Sequence, residues 1–484
     1  MPAAGPRVAF VYPNAYSVGM ASLGYQAALQ CMRRAGLAAE RFFSYSAPVS
    51  WDSLAPAGRF DVLAFSIAFE LDWLNILRFL RDAGIPLLAR ERGERDPIVL
   101  AGGVCVAMNR APAWPFLDAF VHGEAEALAP ALARALRAGE RRRGAMLERL
   151  AGLAHVETTA HAAFDAESTE SAALPDPPPW AWIESLDDAP CVSSVATPES
   201  EFGDMALLDL GRGCPNHCTF CWIGHNAPPY RPSSLERIER MADLALPLSD
   251  RLGLVSSAVG AHPEIDEICR RLLKRGARLS YSSLRIEETT ATMLEALAQS
   301  GQKSLTIAPE AGSARLRRLL GKPFGDDAVL DIVDRALSLG MASFKLYFMT
   351  GLPTETEDES DEIARLVEKV RLRMVSAGKK SGAMGSISVN LGLFTPKPGT
   401  PLPRLANALD FAARARRLKR IERLLRRIPN TRIAASSPPL SGAQSILSLG
   451  GSETSRFLFD ALDGSGGWRG AFQRWIRTRP DTRL

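Results

Sequence analysis

The chain has 484 residues, 46% of them apolar and 23% charged, with a formal net charge of +4 at pH 7. That composition excludes a disordered or fibrous chain, and so small a surplus of charge over this length argues for no polyanionic partner such as nucleic acid. The length exceeds one ordinary core and predicts two or three domains, and no run of about 18 uncharged apolar residues marks a membrane span. Met1 to Pro6 leads straight into an apolar strand without the features of a secretory leader, and seven cysteines, an odd number, fit a reducing compartment. Cytoplasm is the expected location.

From the N-terminus, residues 7–13 read as a short buried strand and 23–35 as a helix closed by Gly36. Asp61–Ile67 is a second apolar strand, followed by a helix over 71–83. Pro97–Gly103 is a strand ending in the pair Gly102-Gly103. Asp118–Glu124 is a further strand and turn, and an Ala-rich helix runs from it to about Gly139. Short apolar runs alternating with helices imply βαβ units and a parallel sheet. Ligands of such sheets lie at the carboxyl ends of the strands, which nominates the loops at Pro13–Gly19, Ser66–Phe69, Gly102–Val104 and Gly123–Glu124. A tight strand-to-helix turn accounts for the diglycine equally well. Residues 141–200 read as a connector. Its prolines at 175 and 177–179, followed by Trp180 and Trp182, predict an extended segment laid across the next domain.

Met205–Leu210 is a strand, and Gly211-Arg212-Gly213-Cys214-Pro215-Asn216-His217-Cys218-Thr219-Phe220-Cys221 follows it directly. Three cysteines inside eight residues of a Gly/Pro/Asn/His loop converge on one metal centre more readily than on a core. Three thiolates are one short of a structural zinc site or a closed iron–sulfur cluster, each of which takes four protein ligands. Zinc would need His217 or His225 as the fourth, and a disulfide fits poorly with a reducing compartment. Further strands follow at Leu252–Ser257, Arg278–Ser283, Ser304–Ile307, Phe344–Met349 and Ile387–Leu393, with helical stretches between them. Six βα units place the cysteine loop at a strand's carboxyl end, where barrel and doubly wound folds put their chemistry. Beyond them, Asp410–Arg427 reads as a basic helix with Leu418, Ile421, Leu424, Leu425 and Ile428 along one side. It is expected to dock on the barrel with a solvated basic face. The alternative is contact with an acidic substrate, RNA phosphates or membrane headgroups. Gly442–Gly451 reads as strand or loop, and Trp468, Phe472 and Trp475 mark an aromatic helix over the barrel mouth.

The C-x3-C-x2-C spacing, with Phe220 just before the last cysteine, resembles the cluster loop of the radical SAM enzymes. The resemblance implies that Cys214, Cys218 and Cys221 hold three irons of a 4Fe–4S cluster, with Phe220 shielding it. The fourth iron is then open to the amino and carboxylate groups of S-adenosylmethionine (SAM). Leu305–Leu316 resembles the family's E-(S/A)-G-(S/T) segment and implies a polar contact of Glu310 near SAM; the alternative is a helix N-terminal acid favoured by the dipole. Lys345–Glu355 is similar to the family's fifth-strand glycine motif, which nominates Tyr347, Phe348, Met349 and Gly351 as contacts of the adenine side. Ser257-Ala258-Val259-Gly260 stands where the family often has Gly-Gly-Glu, and departs from it.

The N-terminal half resembles the Rossmann-like domain of cobalamin-binding members, in the order of its elements, the turn at Gly102 and Gly103, and the His122-Gly123-Glu124-Ala125-Glu126 turn. It lacks the Asp-x-His-x-x-Gly motif that supplies a lower cobalt ligand, and His122 sits in a turn, so cobalamin either binds without a protein imidazole or is absent. The implied fold is α/β: a doubly wound Rossmann-like domain over 1–140, the connector 141–200, a partial (β/α)6 radical SAM barrel over 201–403 and a small helical region over 404–484. The implied activity is reductive cleavage of SAM to a 5′-deoxyadenosyl radical, fed by an electron donor of flavodoxin or ferredoxin type. With cobalamin, the reaction is methyl transfer to carbon or phosphorus; without it, rearrangement, oxidation or cyclisation. A tRNA methylthiolation enzyme would carry a second cysteine-rich region, which this sequence lacks. The rival class is a cluster-bearing redox sensor that never cleaves SAM, and the segments around Glu310 and Gly351 argue against it.

Overall fold

A computed structural model describes residues 5–159, 173–189, 191–382, 384–402, 411–464 and 466–478. The chain divides into two compact units, Met1–Asp204 with Ala443–Thr482, and Met205–Gly442. The sequence-based boundary at 403/404 and the start of the basic helix at Asp410 lie outside the described residues, as do residues 1–4.

In the first unit, β1 (Arg7–Tyr12), β2 (Ala38–Phe43), β3 (Val62–Ser66), β4 (Ile98–Gly102), β5 (Ala119–Val121) and β6 (Val156–Thr158) form one sheet in the order β2-β1-β3-β4-β5-β6. All neighbours are parallel except β6, which runs antiparallel to β5. The strands are buried along most of their length, as a parallel sheet covered on both faces requires. The order reverses between β1 and β3, giving the doubly wound fold its crevice at the carboxyl ends. Two of these strands, β2 and β6, escape sequence reading. Ala38-Ala39-Glu40-Arg41-Phe42-Phe43 has no β-branched residue and no alternation, and is a strand because it pairs with β1 over six residues.

The proline-rich segment is extended, but it lies on its own unit. Ala181 N–H donates to His122 O, Glu124 N–H donates to Ala181 O, and Pro175 O and Pro179 O accept from Arg110 and His155. Backbone groups at the end of the sheet need partners, and this segment supplies them. Residues expected as strand or loop at 442–451 are instead largely helix, Pro438–Leu449, because Gln444 and Ser448 bond the buried carboxylate of Glu70 at 2.9 and 2.8 Å. The aromatic helix Gly467–Thr478 packs through Trp468 and Trp475 on Phe457 of the helix Thr454–Asp463, within this first unit. The region grouped as 404–484 therefore contributes to both units.

In the second unit, β7 (Ala206–Asp209) is followed by the short pair β8 (Gly211–Arg212) and β9 (Arg231–Pro232). Then come β10 (Arg251–Val255), β11 (Arg278–Tyr281), β12 (Ser304–Glu310), β13 (Ser343–Thr350), β14 (Ile387–Leu393) and β15 (Thr431–Ala435). The sheets β11-β10-β7 and β12-β13-β14-β15 are wholly parallel, and the bridge Leu284–Ile307 joins them into one arc with intervening helices. All six strands read from the sequence are present, and β15 adds a seventh at the edge. The basic helix Phe411–Leu425 buries Leu418, Ile421 and Leu425. Several of its cations are held in ion pairs: Arg417 with Glu355 at 3.1 Å, and Arg420 with Glu357 and Asp361 at 2.8 and 2.7 Å. The helix packs through its apolar side, but its basic face is not simply solvated: Arg414 is buried and Arg417 and Arg420 are held by carboxylates.

The helix Glu357–Ser381 ties two of the motifs together. Thr356 and Glu359 form a capping box, and the same Glu359 carboxylate takes Ser313 Oγ at 3.0 Å and both arms of Arg315 at 2.6 and 2.7 Å. The Arg315 pairing drives its pKa down to about 2 from an ordinary 4.5. A carboxylate depressed in the fold stabilises fully above its unfolded pKa and loses that contribution as pH falls through the folded one. Glu359→Gln is therefore expected to flatten the loss of stability between about pH 4.5 and pH 2. Unfolding curves across that range check it, and a slope equal to the parent's would contradict it.

Candidate functional site

The cysteine loop leaves the carboxyl end of β7. There Asp209 accepts from the Gly211 amide at 3.2 Å and Arg212 Nε at 3.3 Å, and β8 and β9 pair antiparallel to close residues 213–230 into a loop. Gly213 has φ +75°, and a Cβ there would stand 2.7 Å from Pro228 O, so only glycine fits this turn. The loop is tied down from several sides. Thr219 N–H and Oγ1 donate to Leu320 O and Leu319 O at 3.2 and 2.8 Å, and Leu402 N–H donates to Thr219 O at 3.2 Å. His217 Nδ1 lies 2.9 Å from Gly224 O and His225 Nε2 lies 3.1 Å from Cys218 O, so both rings brace the loop itself.

Of the three thiols, Cys218 lies beside two cations. Burial pushes the Cys218 thiol up, and the Arg285 and Lys322 cations act against it. Arg285 Nη1 donates to Cys218 Sγ at 2.8 Å. Burial raises Cys214 too, opposed by hydrogen bonds from Asn216. Asn216 Nδ2 also donates to Glu288 Oε1 at 2.6 Å. Glu288 Oε2 and the Tyr230 hydroxyl are buried with no hydrogen-bond partner among the described residues. Burial, with Glu288 and Cys214 nearby, pushes Tyr230 up to about 12. Three thiols on one loop, one of them with a guanidinium donor, and the orphaned polar atoms beside them are the donor types that a sulfur-ligated cluster and a zwitterionic cofactor would use. Among the described residues, however, no three such side chains are grouped as a metal ion needs.

The other nominated residues fall into three places. Phe220 and Met349 pack with Ala311, Leu316, Leu320, Leu352, Phe394 and Leu402 in one apolar cluster, which joins the cysteine loop to the segments after β12, β13 and β14. Glu310, at the end of β12, has φ +68° beside a register shift in the β12–β13 ladder, and Lys322 Nζ holds its Oε1 at 2.8 Å. Strained backbone of this kind persists where its surroundings over-determine it. Gly351 has φ +77° under Arg414, with its amide and that of Leu352 donating to Glu355 Oε2 at 2.5 and 3.0 Å. Along β13 the side chains alternate, so Tyr347 and Met349 share one face and Phe348 lies on the other, buried among the core residues.

In the first unit, Gly102 and Gly103 line a cavity of about 290 Å³ that reaches from the ends of β3 and β4 between the sheet and the helices Leu23–Arg34 and Ala125–Arg137. Gly103 has φ +115°, and a Cβ there would collide with Ile67 O. His122 is buried, its Nε2 3.3 Å from Glu157.

Arg285, Glu288 and Lys322 were not among the residues nominated from sequence. A visible signal existed elsewhere: Lys345, Tyr347, Ser388 and Asn390 alternate with apolar residues on neighbouring, paired barrel strands, a pattern that places polar side chains on the inner face of an otherwise buried parallel sheet.

Fold and site together define an enzyme class whose cysteine loop crowns the first strand of a parallel arc, and comparison with known proteins agrees. Residues 208–367 match the family described as Radical SAM superfamily, and residues 35–159 match "Radical SAM proteins, N-terminal"; together they span more than half of the chain. The chain belongs to the radical SAM superfamily, whose cofactors are a 4Fe–4S cluster and SAM, and carries over residues 35–159 the N-terminal region found in radical SAM proteins. Zinc, carried as an alternative, gives way to that membership.

An uncharacterised protein of Methanocaldococcus jannaschii is 28% identical over 458 residues, covering 93% of this chain and 90% of its own. A tRNA-2-methylthio-N(6)-dimethylallyladenosine synthase of Pseudothermotoga lettingae is 24% identical over 50% of this chain and 55% of its own, so the chain spans about half the length of that relative. Among solved structures, the radical SAM methyltransferase TsrM of Kitasatospora setae, with cobalamin and cluster bound, superposes with TM-score 0.53 at 13% identity over 82% of this chain and 74% of its own. The cobalamin-dependent enzyme OxsB with aqua-cobalamin gives TM-score 0.55 at 15% identity over 85% and 62%. These likenesses show the fold. No helix among the described residues is long and apolar enough to cross a membrane.

Proposed function

We propose that Cys214, Cys218 and Cys221 hold the cluster, that Glu310, Tyr347, Met349 and Gly351 line the SAM site, and that the first unit binds cobalamin, making the enzyme a methyltransferase. The cavity of about 290 Å³ carries the cobalamin reading. Its lining is almost wholly apolar, from Val8 and Phe10 to Leu128 and Leu132, and it reaches the glycine-bearing strand ends where doubly wound folds take ligands. An aromatic tail group fits such a slot. No imidazole lines it, and His122 is engaged with Glu157, so cobalamin here would be held without a protein ligand to cobalt.

Bound together, the cofactors supply an electron to the sulfonium of SAM, a 5′-deoxyadenosyl radical and a methyl carrier. The chain's own part is to orient and exclude water. Phe220 and Met349 close an apolar wall beside the cysteines, Lys322 fixes the Glu310 carboxylate, and Glu355 holds the Gly351 turn. Lys345, Tyr347 and Asn390 give the barrel strands a polar face on which a substrate would be received. A cytoplasmic setting with a flavodoxin- or ferredoxin-type donor suits seven cysteines without a disulfide. Anaerobic incubation with SAM and dithionite is expected to release 5′-deoxyadenosine, and protein produced with cobalamin supplied is expected to carry stoichiometric cobalt. Cobalt-free protein that still cleaves SAM would refute methyl transfer and leave rearrangement or oxidation.

A further inference from the structure

The three candidate ligand sulfurs do not share one environment. Cys214 has the neutral donor Asn216, and among the described residues a charged donor reaches only Cys218. Arg285 lies just past the carboxyl end of β11, its side chain 14% exposed, with its carbonyl taking Thr289 Oγ1 at 2.6 Å. Its fork is divided three ways: Nη1 to Cys218 Sγ at 2.8 Å, Nη2 to Glu287 Oε1 at 2.9 Å, and Nε 3.3 Å from Glu288 Oε1. Glu288 in turn takes Asn216, which reaches back to Cys214. The guanidinium is thus aimed at one sulfur by two carboxylates, and polar contacts run through it between two of the three thiols, the Arg285–Glu288 link among them being an ion pair and not a hydrogen bond. The second cation near Cys218, Lys322, is committed to Glu310 Oε1 and Ala308 O.

Reduction of a 4Fe–4S cluster adds one negative charge. A cation donating to a ligand sulfur stabilises the reduced form more than the oxidised one, so it raises the potential, and more so where water is excluded. We propose that Arg285 is a positioning residue that sets the cluster's reduction potential through its hydrogen bond to Cys218, with Glu287 and Glu288 moderating its charge. The inference rests on the cluster being held at Cys214, Cys218 and Cys221.

The test is an EPR-monitored redox titration of anaerobically reconstituted full-length protein, with iron content measured on each sample. Arg285→Gln, which removes the charge, is expected to move the midpoint to more negative potential, and Arg285→Lys to fall between it and the parent. Glu287→Gln, which removes an opposing carboxylate, is expected to move it the other way. Unmoved midpoints at full iron loading would overturn the proposal. So would loss of iron in Arg285→Gln with unmoved midpoints in the other two variants, since that would assign Arg285 to cluster assembly. A parent protein that holds no iron would refute the cluster itself, a distinct failure from an unmoved midpoint.

Discussion

Cys218→Ala is expected to load little or no iron and to release no 5′-deoxyadenosine above background, while keeping the parent's secondary structure. With one of the three proposed thiolate ligands gone, only two would remain for a cubane that on this proposal already lacks a fourth protein ligand. The fold survives because the loop is held by its backbone: Cys218 O takes His225, Thr219 bonds Leu319 O and Leu320 O, and β8 pairs with β9. Removing a small buried sulfur costs far less than those contacts contribute. The substitution also strands the Arg285 guanidinium arm, which can still reach Glu287 and Glu288. Iron analysis with circular dichroism checks both halves. Full iron loading would remove Cys218 from the ligand set.

Glu355→Ala is expected to destabilise the turn after β13 by about 3 kcal/mol and to weaken SAM binding by about tenfold or more. The Glu355 side chain is 1% exposed and gathers Thr350 Oγ1, the amides of Gly351 and Leu352, and Arg417. Burial lifts its pKa, against the Arg417 charge and the two amides. Truncation leaves those donors without their acceptor in a place water does not readily reach. Gly351 then loses the tether that holds its left-handed backbone beneath Arg414, where a Cβ would lie 2.7 Å from Nε. Two units in one chain make a single melting temperature ambiguous, so amide exchange at residues 350–353 is the better readout. Parent-like protection and SAM affinity would contradict the role given to Glu355. Glu355→Gln keeps the shape and an acceptor, and is expected to lose much less.

What sequence reading reached was whatever has a local signature. The strand–loop–cysteine order around Cys214, the diglycine at Gly102-Gly103 and six of the seven barrel strands were visible because glycine, proline and apolar runs mark them directly. β2 and β15 were not, since Ala38–Phe43 and Thr431–Ala435 become strands only by pairing with β1 and β14. Helix Pro438–Leu449 was missed for a similar reason, its Ser- and Gly-rich run being stabilised by contacts with Glu70 far away in sequence. Arg285 stands 67 residues after Cys218 and Lys322 is 12 after Glu310, so no spacing rule brings either to its partner. Phe344–Met349 was read as a strand, and its period of two already places Phe348 opposite Tyr347 and Met349; nominating all three together overlooked that alternation.

The proposed chemistry needs one iron of the cluster to be left free by every side chain of this protein. Pulsed ENDOR on the reduced, reconstituted protein with SAM carrying ¹⁵N in its amino group tests that most directly. A resolved nitrogen coupling, lost when SAM is withheld, is the predicted result. A spectrum unchanged by SAM, with all four irons bound by residues of the chain, would contradict it.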